Sequence, residues 1–182
     1  MERPEVKRVV QVVHYDSIWK SKYLEEAKRL RRVLHNEVIE VHHIGSTAIP
    51  GMWAKPTIDI LVVVRDIDAV DRYNQSMSAI GYDAMGEYGI KGRRFFTKGG
   101  DRRTHHVHVF QKESAEINRH LVFRDFMIAH PSVAAEYADL KRDLAARFGS
   151  DIDAYCQGKD AFIRDIDAKA AVWASSIRGQ YA

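Results

Sequence analysis

His42-His43-Ile44-Gly45-Ser46-Thr47-Ala48-Ile49-Pro50-Gly51-Met52-Trp53-Ala54-Lys55-Pro56-Thr57-Ile58-Asp59-Ile60-Leu61 runs from an apolar segment into a Gly-Ser pair. It continues through a loop punctuated by Pro and Gly into a second apolar segment that carries one carboxylate. Gly45 permits close approach of the backbone to an anion. The Ser46 hydroxyl and the amides after it are donors for phosphate oxygens. Asp59 lies in a run from Ile58 to Val64 that is otherwise apolar. A carboxylate there needs a cation or a donor to offset its desolvation. The stretch therefore reads as a phosphate-handling turn followed by a metal-binding or paired carboxylate.

The flanking sequence gives this turn a setting. Val38–Ile44 and Ile58–Val64 read as strands, the second buried on both faces, with Gly45-Ser46 at the C-terminal end of the first. Upstream, residues 9–15 read as an extended segment. Asp16 or Ser17 then caps a helix with Trp19, Tyr23, Ala27, Leu30 and Leu34 on one face. Downstream, Asp66 opens a helix closed by Gly81. Residues 82–110 read as a β-meander with strands at Arg93–Lys98 and His105–Phe110. Three helices follow: Ser114 to His130, one broken off by Pro131 and ended by Gly149, and one opening at Asp151 or Asp153.

The string HIGSTAIPGMWAKPTIDIL resembles the GrpB-like family, a branch of the nucleotidyltransferase superfamily, over roughly residues 10–175. It is also similar to the C-terminal part of some bacterial dephospho-coenzyme A kinases. The resemblance implies an α/β fold: a nucleotidyltransferase-like mixed β-sheet with flanking helices and a helical C-terminal layer. One domain over 1–175 and a C-terminal tail over 176–182 are expected. The superfamily signature pairs Gly-Ser with a strand bearing Asp-x-Asp. Here Leu61 stands where the second Asp belongs, so transferase activity does not carry over with the motif.

Three clusters are candidates for one site. Gly45, Ser46 and Lys55 are expected to bind phosphate. Asp59 is expected to hold a divalent cation, Mg²⁺ in the superfamily, which accepts one or two carboxylates plus phosphates and waters. The third cluster spans Lys91 to His108, where only Asp101 offsets six basic residues. Within it Arg93, Arg94 and Lys98 match phosphate oxygens, or else guard a hairpin edge from strand pairing. His106 and His108 lie two apart on a strand, so both face one side. With Asp59 they would form a metal set favouring Mn²⁺, Fe²⁺ or Zn²⁺ over Mg²⁺. The alternative is that both imidazoles hydrogen-bond to backbone or to Asp59 without a metal. In the catalytic scheme Asp59 and His108 hold the metal that orients an acceptor for in-line attack on a phosphorus atom.

The expected function is therefore metal-dependent nucleotidyl or phosphoryl transfer from a nucleotide, or another phosphorylated small molecule, to a small acceptor. The competing expectation is a degenerate module that binds a nucleotide or coenzyme A and assists a partner protein. Composition bounds both. A net charge of +3, from 28 basic and 25 acidic residues, argues against bulk nucleic-acid binding. The single Cys156 fits a reducing compartment. No apolar run reaches a membrane-spanning length, and the opening residues lack a signal-peptide core. A cytoplasmic protein is expected.

Overall fold

Ile58–Val64, the run that surrounds Asp59, forms strand β2 near the middle of a five-stranded sheet. The structure, a computed structural model, describes residues 9–180. The other strands are β1 (Val38–Ile44), β3 (Tyr82–Ala84), β4 (Arg93–Lys98) and β5 (His105–Gln111). Their spatial order is β1-β2-β5-β4-β3. Only β2 and β5 run parallel; the other neighbours are antiparallel. The sheet is thus mixed, and β2 is covered on both faces, as its continuous apolar composition requires.

Helix α1 (Ile18–Leu34) packs on one face. Trp19, Leu30 and Leu34 meet Ile60, Val62, Val107 and Val109 there in the main core. A 3₁₀ turn at Asp68–Tyr73 and the short helix α2 (Asn74–Ala79) follow β2. Asp66 starts that segment by accepting the amide of Asp68 at 2.9 Å. It does not open a single long helix as the periodicity suggests.

On the other face lie α3 (Ala115–Ala129), α4 (Pro131–Arg147) and α5 (Ile152–Gln180). These helices have a core of their own, with Ile49, Met52, Phe126, Met127, Tyr137 and Ile166. A smaller cluster of Ile44, Leu61 and Phe110, with Ile117 and Leu121, joins α3 to the sheet. Helix α5 continues past residue 176 to Gln180, so the expected tail is helical that far; residues 181–182 lie outside the described residues. The extended segment expected at 9–15 makes a single bridge, Val13 with Ala54, because its neighbour is the motif loop and not a sheet edge. Among the described residues no helix is long and apolar enough to cross a membrane.

Register decides which side chains meet. Asp59 pairs with His106, and Leu61 with His108. Partners across a ladder share a face, so Asp59, Leu61, His106 and His108 all project toward the C-terminal helices. Arg94 and Lys98 pair with Val109 and His105 and project the opposite way, toward α1 and α2.

A candidate polyanion site between the sheet and the C-terminal helices

A cavity of about 300 Å³ opens between the Gly45-Ser46 turn and the C-terminal helices. Its floor is Gly45, Ser46, Thr57, Asp59, His106 and His108 from the sheet side. Its walls are Arg119, His120 and Phe123 of α3, Tyr137 and Lys141 of α4, and Tyr155 and Lys159 of α5, with Lys55 from the loop.

Gly45 is required where it stands. Its φ of 69° and ψ of −172° fall in a region left to glycine. A Cβ there would lie 2.5 Å from Asp59 Oδ2. The turn can therefore fold back over the carboxylate only with no side chain at 45. Ser46 opens the 3₁₀ turn Ser46–Ala48, and its Oγ accepts a hydrogen bond from Lys141 Nζ at 3.0 Å.

Lys141 is 2% exposed. Among the described residues it has no carboxylate partner; Tyr137 lies under it with the ring centroid 4.5 Å from Nζ. Burial, with Lys159 and Lys55 adding repulsion, lowers its pKa to about 7. Burial also lowers that of Lys159. Lys159 and Lys55 both rest on the Tyr155 ring, at 4.5 and 5.2 Å. Three lysines thus converge on one end of the cavity, and Arg119 lies on its wall.

Asp59 is the carboxylate that faces them. Burial alone would raise its pKa. The His106 hydrogen bond and His108 beside it outweigh burial and hold it well below the usual carboxylate range. An ionised carboxylate only accepts, so His106 Nδ1–H donates to Asp59 Oδ1, at 3.1 Å. His108 Nε2 is 3.8 Å from the same oxygen, and its Nδ1 faces the Arg93 guanidinium at 3.4 Å. His120 donates its Nδ1–H to the Glu116 carbonyl at 2.7 Å, and burial lowers its pKa to about 4.

The sequence candidates therefore divide. Gly45, Ser46, Lys55, Asp59, His106 and His108 come together at the cavity. Arg93 stands behind His108, its guanidinium bonded to the carbonyls of Glu87 and Tyr88. Arg94 is held by Asp71 and Asp68, and Lys98 by the buried Glu26 at 2.8 Å. The latter two are tied up on the far face of the sheet.

The divalent ion expected from the sequence meets an unsuitable donor set. A metal ligand must offer a lone pair. His106 Nδ1 presents its proton to Asp59, so the lone pair left on Nε2 points away from that carboxylate and the two do not converge on one ion; Leu61 lies buried among Ile44 and Phe110 where a second carboxylate would be. Among the described residues no three His, Cys, Asp or Glu side chains are arranged to hold a metal. The four cationic groups would also repel one. As placed among the described residues, these side chains do not converge on one ion.

The family model described as "GrpB protein" matches residues 9–169, and the chain belongs to that family. It is 48% identical to the UPF0157 protein YqkA of Bacillus subtilis, over 92% of this chain and 49% of that protein. It is 28% identical to the dephospho-CoA kinase of Mycolicibacterium paratuberculosis, over 92% of this chain and 47% of the kinase. The chain thus spans about half the length of each of these two relatives. The crystal structure of GrpB from Enterococcus faecalis superposes with a TM-score of 0.85 at 43% identity, covering 88% of this chain and 96% of that one.

Lys141, Arg119 and His120 were not candidates from the sequence. One signal for Lys141 was available. It falls on the apolar stripe of α4 between Tyr137 and Leu144, where a lysine is out of place unless its charge has a use.

Proposed function

We propose that this cavity binds the phosphate groups of a nucleotide or another phosphorylated small molecule, and that the chain transfers a phosphoryl or nucleotidyl group from it. Lys141 carries the reading: a buried lysine, lacking a carboxylate partner among the described residues, directed at the hydroxyl of a Gly-Ser turn. Burying an unpaired ammonium is costly, and an incoming phosphate would supply the missing counter-charge. Ser46, Lys55, Lys141 and Lys159 would hold the phosphate oxygens. Their fixed charges would stabilise the charge that develops on a departing phosphate.

Leu61 favours a second reading, a binding module without turnover. The position of the second carboxylate is occupied by a core residue, and part of a dephospho-CoA kinase resembles 92% of this chain. Such a module would hold a nucleotide or coenzyme A precursor on behalf of an attached or separate enzyme.

Thermal denaturation with inorganic tripolyphosphate, the four nucleoside triphosphates and coenzyme A precursors tests both. A ligand at a hundred times its Kd should stabilise by roughly 2.7 kcal/mol. A shift lost in Lys141→Met supports the site. Release of pyrophosphate or phosphate in the presence of small acceptors separates transfer from binding. No shift with tripolyphosphate or any nucleotide would remove the phosphate reading.

A further inference from the structure

Three imidazoles line the cavity, and their nitrogens are not equivalent. His108 faces Asp59 with one nitrogen and Arg93 with the other. His120 donates one N–H to the Glu116 carbonyl and turns the other nitrogen to Arg119 at 3.5 Å. His106 gives its Nδ1–H to Asp59, and its Nε2 has no hydrogen-bond partner among the described residues. The ring is fixed by Asp59 on one side and by Phe95 on another, with ring centroids 5.4 Å apart. A carboxylate that accepts a hydrogen bond from one imidazole N–H keeps the proton on that nitrogen, leaves a lone pair on the other and aims it. The same arrangement orients the base of nucleophile–base–carboxylate triads.

We propose that Asp59 serves His106 instead of a metal ion: the pair is an acid–base dyad whose His106 Nε2 accepts the proton of the group that attacks a phosphate bound in the cavity. His106 is the catalytic residue and Asp59 the positioning residue. The inference rests on the phosphate reading above. In the step, an alcohol or water O–H gives its proton to His106 Nε2. The oxygen forms a bond to phosphorus. The bond from phosphorus to the leaving phosphate oxygen breaks, and its electron pair departs on that oxygen beside Lys141 and Lys159. The proton on His106 then returns to solvent or to the departing phosphate.

The position of Leu61 fits this scheme. A two-metal site needs the second carboxylate, whereas a dyad needs only the one that touches the imidazole. The positive cavity fits as well, since the lysines take over the charge neutralisation that a metal would otherwise supply.

Long-range ¹H–¹⁵N correlation spectra of the full chain, with His106 assigned through His106→Gln, test the dyad without knowledge of the substrate. Wild type should show a protonated Nδ1 and an unprotonated Nε2 at His106. Asp59→Ala should move the proton to Nε2, the nitrogen that free imidazole side chains prefer; Asp59→Asn is the second variant if the alanine form does not fold. Zn²⁺ or Mn²⁺ added to chelator-washed protein should leave the His106 signals in place. A proton on Nε2 in wild type would overturn the proposal. So would a metal-induced shift of His106 that disappears in Asp59→Ala. Calorimetric titration with tripolyphosphate runs beside these spectra. Binding together with the wrong tautomer sinks the dyad alone, whereas absence of binding sinks the dyad and the phosphate reading together.

Discussion

Lys141 Nζ on α4 donates to Ser46 Oγ at the end of β1 across 95 residues of sequence. This bond brings the charge of a buried lysine to the turn that is expected from the sequence to bind phosphate. It also places an unpaired ammonium in the interior, and that has a measurable cost.

The folded-state pKa of Lys141 is about 7, against 10.5 for an unperturbed lysine. Between those values the unfolded chain keeps a proton that the folded chain has lost. Stability from this group therefore rises with pH, by about 1.4 kcal/mol per unit over the window, and is at its lowest below it. Urea denaturation from pH 6 to 9 should show that rise in wild type and a flatter profile in Lys141→Met. The variant should be the more stable protein at pH 6 and bind tripolyphosphate more weakly by about tenfold or more.

A bound phosphate should recharge Lys141. At pH 8 the free protein holds this amine mostly neutral, so binding should take up about one proton per ligand, and none in Lys141→Met. Calorimetry in two buffers of different ionisation enthalpy measures the uptake directly. Affinity should fall as pH rises above 7.

Lys98→Met should weaken the fold and spare the site. The substitution leaves Glu26, whose side chain is 3% exposed, with Arg29 as its remaining ion-pair partner. Burial would raise the Glu26 pKa, but the Lys98 hydrogen bond and charge keep it lowered. The pairing therefore stabilises at neutral pH and is lost as pH falls through the carboxylate range. A cost of about 3 kcal/mol is expected, with tripolyphosphate affinity unchanged within twofold. A large loss of affinity would return Lys98 to the site.

Gly45→Ala should fail in both respects. The added Cβ meets Asp59 Oδ2, and the backbone conformation excludes it. About 2 kcal/mol or more of stability should be lost, with the His106 nitrogen signals displaced because Asp59 must move.

Leu61→Asp, which would supply the second carboxylate of an Asp-x-Asp pattern, should not create metal-dependent turnover. Leu61 is fully buried against Ile44, Phe110 and α3. Losing that packing and burying a carboxylate should cost at least about 4 kcal/mol. A soluble, fully folded Leu61→Asp protein with new metal-dependent turnover would contradict this account of the site.

Much of this was legible in the sequence, for local reasons. Alternation places His106 and His108 on one face, and the apolar run around Asp59 reads as a central strand. What periodicity does not carry is register. The parallel pairing that sets Asp59 beside His106, and not one residue away, is fixed by long-range packing. The basic run from Lys91 shows the converse. Its side chains alternate between faces, and the carboxylates that engage Arg94 and Lys98 come from Asp68, Asp71 and Glu26, far away in sequence. Lys141 was hidden because a lysine on a helix ordinarily reads as solvated surface.

The sheet and the C-terminal helices have separate cores, and the cavity lies along the line where they meet. A guest that grips Ser46 from one layer and Lys141 from the other would act as a rivet. The two layers would then melt as one unit when the cavity is full, and the helical layer would be free to loosen first when it is empty.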